Sequence, residues 1–176
     1  AFNQLGGVEG ALAARADTIL NKHYNSTEKQ SQLRHLLLRL VQPGEGTADT
    51  RRRMLLDELV PAGAKLESVQ SFLKPLVDER LLTTNYDKPS PQQAIGEKTI
   101  EVSHEALIKA WPMFKNWIDE ARHDLRVQLH LEEASKEWQA NDQNSDYLWS
   151  GLRLANAESW LNRAQHTLNQ RDLHFL

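Results

Sequence analysis

Two stretches of this chain carry the same apolar spacing, and that spacing limits the fold more than any single motif. Leu33, Leu36, Leu37, Leu40 and Val41 fall at i, i+3, i+4, i+7 and i+8, and so do Val69, Phe72, Leu73, Leu76 and Val77. An α-helix completes a turn in about 3.6 residues, so each set forms one stripe that must be buried against another element. The first helix is expected to end before Pro43-Gly44. The second, Glu67 to about Arg80, holds Pro75 in its middle. A missing N–H and a clash with the preceding turn predict a kink or short break near Lys74.

The remaining pattern supplies an order of elements. Val8, Leu12, Ala16, Ile19 and Leu20 give a helix after the Gly6-Gly7 punctuation, and Asn25-Ser26-Thr27 breaks and recaps the chain. After a loop from Gln42 to Asp49, Thr50 to Leu56 reads as a short strand, with a brief helical turn before Pro61-Ala62-Gly63. Leu81 to Tyr86 reads as a strand and Lys98 to Ser103 as its return. Asp87 to Glu97, with Pro89, Pro91 and Gly96, forms a long hairpin loop between them. Helix, short strand, helix, helix, strand, long loop, strand is the order of a winged helix.

Beyond the second strand the chain is helical. Leu107, Ala110, Trp111, Phe114, Ile118, Ala121 and Leu125 keep one stripe, which Pro112 either interrupts or, at a first helical position, restarts. Val127, Leu131, Ala134 and Trp138 carry the next stripe, with Glu132 and Lys136 as an i, i+4 pair on its polar side. Asn141 to Asp146 is a loop, and from Gly151 Leu154, Ala157, Leu161, Ala164 and Leu168 make a last helical face. Trp111 and Trp138 belong to the core, while Trp117, Trp149 and Trp160 either pack or dock a following domain. The fold expected is therefore mainly α: a winged-helix domain with a small β-hairpin wing over residues 26–104, preceded by the end of a helical arm domain at 1–25 and followed by a helical linker domain at 105–176.

Chemistry concentrates at one joint. In Thr99 to Trp111 an alternating run hands over to a helix at His104, with Ser103 placed to cap it and Glu105 placed to suit its positive end. An imidazole there either contacts an anion or packs locally. Ser103-His104-Glu105 is not a catalytic triad, because consecutive side chains do not converge. Glu120-x-x-His123 is half of a carboxylate di-metal pattern without its second half, so no metal site and no catalytic residue is assigned. No G-x-x-x-x-G-K-[S/T] occurs, so the chain has no P-loop for a triphosphate.

Composition excludes several partners. The formal charge of −3 gives no general pull toward nucleic acid or anionic lipid. In the second striped helix Lys74 and Arg80 face Glu67, Asp78 and Glu79, a net of one negative charge, which is wrong for a DNA-reading helix. Arg51, Arg52 and Arg53 are the basic exception, and they serve either an anion or interdomain contact or a solvated strand edge of ion-pair partners. There is no cysteine, no apolar run of membrane-spanning length and no signal-peptide pattern, which places the chain in the cytoplasm. A start at Ala1-Phe2 and a stop just after Asn169 and Asp172 cap a new helix read as a piece cut from a longer protein.

In chain order, GGVEGALAARAD (6–17), LRLVQPGEGTADTRRR (38–53), LVDERLLTT (76–84), VSHEALIKAWPMFKNWIDE (102–120) and SGLRLANAESWL (150–161) resemble the C-terminal part of bacterial STAND-class NTPases. These are signal-transduction ATPases of many domains, often followed by WD-type repeats. The resemblance implies a non-catalytic regulatory arm that couples the ADP or ATP state of an upstream P-loop domain, with its Mg, to switching, partner binding and oligomerisation on activation. It implies a downstream repeat domain. It also implies that His104, which by its place at the strand-to-helix junction matches the histidine of the Met-His-Asp position of the apoptotic and plant-resistance relatives, with different flanking residues, approaches the ADP phosphates of the intact protein. The rival readings are a DNA-binding winged-helix regulator and a purely structural adaptor between domains.

Overall fold

The computed structural model describes residues 4–89, 96–164 and 168–176. The chain divides into two compact units, Ala1–Val60 with Lys65–Glu120, and Pro61–Ala64 with Ala121–Leu176. It is mainly helical with small antiparallel sheets.

The first unit opens with α1 (Gln4–His23) and α2 (Thr27–Leu38). α1 begins earlier than its glycine pair suggested: Gly6 and Gly7 lie inside it, at a cost of about 1 kcal/mol each relative to alanine. Val8 is 73% exposed, although it continues the stripe of Ala16, Ile19 and Leu20, which are buried. From Gly7 onward, burial on this helix starts at Leu12, where α1 reaches the elements it packs against. Ser26 caps α2 as expected, its hydroxyl accepting from the Lys29 amide at 3.2 Å.

The first leucine-rich stripe is buried throughout, but not all of it is helix. α2 ends at Leu38, and Val41–Gln42 form a short strand, β1, paired antiparallel with β2 (Thr50–Arg51). Leu40, in a turn, and Val41, in β1, thus keep their core positions outside the helix. The expected strand from Thr50 to Leu56 is split: β2 pairs with β1, and β3 (Met54–Leu55) joins a second sheet. The helical turn α3 (Leu56–Leu59) follows.

α4 (Leu66–Asp78) runs through Pro75 without the break that proline predicted. Proline deprives only the Ser71 carbonyl of its helical donor, and Ser71 is exposed to water. The stripe of Val69, Leu73 and Leu76 holds the helix on its core side. At its end the Leu81 amide donates to the Leu76 carbonyl at 2.9 Å and the Arg80 amide to that of Val77 at 3.0 Å, a Schellman closure with Arg80 at φ 59°. The Arg15 guanidinium of α1 adds a donor to the Glu79 carbonyl at 3.2 Å, and the Tyr24 hydroxyl donates to the Phe72 carbonyl.

β4 (Leu82–Asp87) and β5 (Glu97–Val102) pair antiparallel from Leu82–Val102 to Asp87–Glu97, and β3 pairs with the other edge of β5 through Met54–Ile100 and Leu55–Thr99. The connecting loop, with Pro91, lies largely outside the described residues. α5 (Ala106–Ala110) follows, and Pro112 does start a new helix, α6 (Pro112–Ala140). Trp111 between them is extended, the conformation a following proline imposes.

The second unit takes the rest of α6, a 3-10 turn (Ser145–Tyr147), α7 (Gly151–Ala164) and α8 (Gln170–Phe175). Its core is Leu131, Trp138, Trp160, Leu168 and Phe175. Glu132 is 1% exposed and not on the polar side of α6 as its spacing to Lys136 suggested. Asn169 caps α8, accepting from the Asp172 amide at 2.8 Å. Among the described residues no helix is long and apolar enough to cross a membrane.

Two stability predictions follow from the first unit. A side chain at a left-handed position is strained by about 1 kcal/mol, so Arg80→Gly should raise the unfolding free energy by up to about 1 kcal/mol in urea titrations. His35 of α2 is half-buried, and burial, with the charge of Arg34 second, holds its pKa below 6.5. The unfolded chain then binds the proton more readily, so stability should be full above pH 6.5 and fall as pH drops toward the folded value. His35→Gln should flatten this part of the acid slope in urea titrations at roughly pH 7 and pH 5.5.

Candidate functional site

The turn that carries His104 is fixed from three sides. The Ser103 amide donates to the Leu81 carbonyl at 3.0 Å, continuing the β4–β5 ladder by one bond. The Ser103 hydroxyl lies 2.6 Å from that of Thr83. It does not cap the following helix. α5 starts two residues later than its sequence predicts, at Ala106, and its flanking residue Glu105 makes no side-chain cap. With α5 starting at Ala106, Glu105 and not Ser103 stands at the cap position, and the Ser103 hydroxyl pairs with Thr83. The Leu107 amide instead closes on the His104 carbonyl at 3.0 Å.

The third support is Arg51, contributed by β2. Its amide donates to Glu105 Oε1 at 3.1 Å, and its Nη1 donates to the carbonyls of Ser103 at 3.0 Å and Val102 at 3.4 Å. The basic triplet is thus divided by task. Arg51 braces the turn. Arg52 donates its amide to the Leu40 carbonyl at 2.8 Å and its Nη1 approaches the Met54 sulfur at 3.7 Å. Arg53 pairs with Glu101 at 3.0 Å, and Arg51 Nε lies 4.0 Å from the same carboxylate. Such partly exposed pairs contribute up to about 1 kcal/mol each, so their value here is positional.

His104 itself is exposed. No hydrogen bond to its imidazole is present among the described residues, whereas the side chains beside it are engaged: Ser103 with Thr83, Glu105 with Arg51. A neutral or charged imidazole can donate to an incoming anion. A proton relay through its two neighbours has no geometry to support it, since both are turned to other partners. Glu120 of the E-x-x-H pattern pairs with Arg34 at 3.3 Å. Among the described residues no three His, Asp or Glu side chains gather as a metal site.

Two contacts of this region were not read from sequence, although Trp111 was assigned to the core. Trp111, 1% exposed, donates Nε1 to Asp17 Oδ1 of α1 at 2.8 Å and stacks edge-on with Trp117 at 5.9 Å. The position of Glu101, its side chain 13% exposed, follows from the strand alternation, but its arginine partners, about fifty residues earlier, do not. Of the other tryptophans, Trp138 and Trp160 are core, and Trp149 packs edge-on against Phe175 at 5.4 Å.

No curated protein and no solved structure matches this chain. A family model, described as novel STAND NTPase 1, matches residues 1–146. With most of its length covered, and with the braced strand-to-helix turn inside the matched span, the chain belongs to the novel STAND NTPase 1 family.

Proposed function

We propose that this chain is a regulatory arm of a STAND NTPase, in which residues 26–104 act as a winged helix, residues 1–25 as the end of a helical arm and residues 105–176 as a helical linker. The observation that carries this reading is the exposed His104 imidazole on a turn whose backbone and flanking side chains are already held by Arg51, Leu81 and Thr83. A side chain presented from a fixed turn loses little further freedom when it meets a ligand, so its contact energy is not consumed in ordering the loop. The ligand proposed is the phosphate end of ADP held by a P-loop domain upstream. This chain has no P-loop of its own, so His104 would supply one contact to a nucleotide gripped elsewhere.

A contact made only in the closed, ADP-bound state biases a two-state switch by its differential energy, about 1 to 3 kcal/mol. ATP with Mg replaces ADP in the active state of the intact cytoplasmic protein, and a downstream repeat domain and oligomerisation carry the output. Arg51, Arg52 and Arg53 serve the arm as braces and ion-pair partners in this reading, with Arg53 and the exposed part of Arg51 available to an interdomain contact. Lys74 of α4 is paired with Asp78 at 2.6 Å, which further weakens α4 as a DNA-reading helix.

With the P-loop domain restored, His104→Ala should weaken ADP retention about tenfold and raise basal signalling, while thermal stability moves by less than about 0.5 kcal/mol because the side chain is exposed. Unchanged ADP retention together with unchanged basal signalling would sink phosphate sensing and leave the structural adaptor.

A further inference from the structure

The second unit has a cleft of about 400 Å³ between α6 and α7 whose lining carries no acidic residue. Val127 of α6 is a half-buried apolar residue of its lining, and Ala157 and Trp160 of α7, each 2% exposed, lie beneath the surface. His123 and His130 stand on the α6 side, each one helical turn from Val127 and on either side of it, and Arg153 and Arg163 stand on the α7 side. All four are exposed. In a chain with a net charge of −3 this is a local concentration of cationic and protonatable groups. Glu158, the one carboxylate of α7, is not part of the lining.

Spacing decides which anion fits. Arg153 is held over the Trp149 ring, 4.3 Å from its centroid, at one end of the cleft. Arg163 lies ten residues further along α7, an axial distance of about 15 Å at 1.5 Å per residue. With their backbone positions that far apart and Arg153 laid over Trp149, the two guanidinium groups do not share one small anion unless Arg153 leaves the ring. Carboxylates four residues apart on an extended chain are separated by about 13 Å, and the side chain midway between them projects toward one face. Such a segment matches both arginines and Val127 together.

We propose that the α6–α7 cleft is a docking groove for an extended acidic peptide of a partner protein, with its terminal carboxylates on Arg153 and Arg163 and its central apolar side chain against Val127. The guanidinium groups supply paired donors to carboxylates, and the exposed part of Val127 supplies the apolar contact. Trp149, under Arg153 and half-buried, reports occupancy through its fluorescence.

The test uses the full chain and a fluorescein-labelled pentapeptide with glutamate at both ends, leucine at the centre and alanine between. Saturable anisotropy is expected, weakened about tenfold by Arg163→Gln and by Arg153→Gln, by replacing both glutamates with glutamine, and by raising salt from about 0.05 M to about 0.5 M. Both arginines are exposed, and an unchanged melting curve shows that the variants are folded. Absence of saturation at millimolar peptide, equal binding of the glutamine peptide, or indifference to both arginine variants overturns the proposal. Tighter binding of inorganic phosphate or ATP than of the peptide, abolished by the same variants, also overturns it in favour of a small-anion site.

Discussion

β5 has no free edge where it matters most. Thr99 pairs with Leu55 on one side and Asn85 on the other, and Ile100 pairs with Met54 and Thr84. Thr99 and Ile100 are consecutive and both buried, so the strand is covered on both faces there as well. A slip of one residue would exchange the faces of Ile100 and Val102 and lose two ladders at once. The register of β5 is therefore fixed more firmly than that of any two-residue strand around it, and the position of everything directly after it is fixed too. Ser103 remains on the ladder through Leu81, and His104 comes next. The site's exposure and its rigidity have one origin: the chain leaves a doubly paired strand and has no slack before α5.

Arg51 turns that local rigidity into a connection. β1 and β2 are only two residues each, a pairing too short to stand alone. The Arg51 amide and guanidinium reach Glu105, Ser103 and Val102, so the small β1–β2 ladder is tied to the end of β5. A surface salt bridge would be a weak tie, but three hydrogen bonds to backbone and carboxylate from one residue impose direction as well as attraction.

What could be read from sequence was mostly what is decided within one or two turns. Ser26, Asn169 and Pro112 were found at helix starts because caps and first-turn prolines act on neighbouring amides. The stripes named the buried residues well, though not their backbone: Leu40 and Val41 are buried in a turn and a strand, which periodicity over five positions does not distinguish from helix. Failures came where a distant partner outbid a local one. Ser103 is a reasonable cap, but α5 starts at Ala106 and the hydroxyl pairs with Thr83, and Glu132 is a reasonable surface residue until the second unit closes over it. His104 was legible as a junction residue, whereas the brace from Arg51 spans more than fifty residues and leaves no local trace.

The second unit shows how such distant pairings also specify structure. α8 has six residues, too few to be stable as an isolated helix. It carries Asp172 at 0% exposure, a carboxylate whose burial would be costly alone. Ser135 of α6 donates to Asp172 Oδ1, Arg171 Nε lies 3.1 Å from the same oxygen and 3.0 Å from the Ser135 hydroxyl, and the Asp172 amide reaches the Asn169 cap. A buried polar group of this kind adds little net stability over apolar packing of the same volume. Its consequence is geometric: the placement of α8 that brings Asp172 Oδ1 to Ser135 and Arg171 also sets Phe175 edge-on to both Trp138 and Trp149, at 5.8 and 5.4 Å. The aromatic cluster supplies the attraction, and the buried carboxylate selects which of several apolar fits α8 adopts.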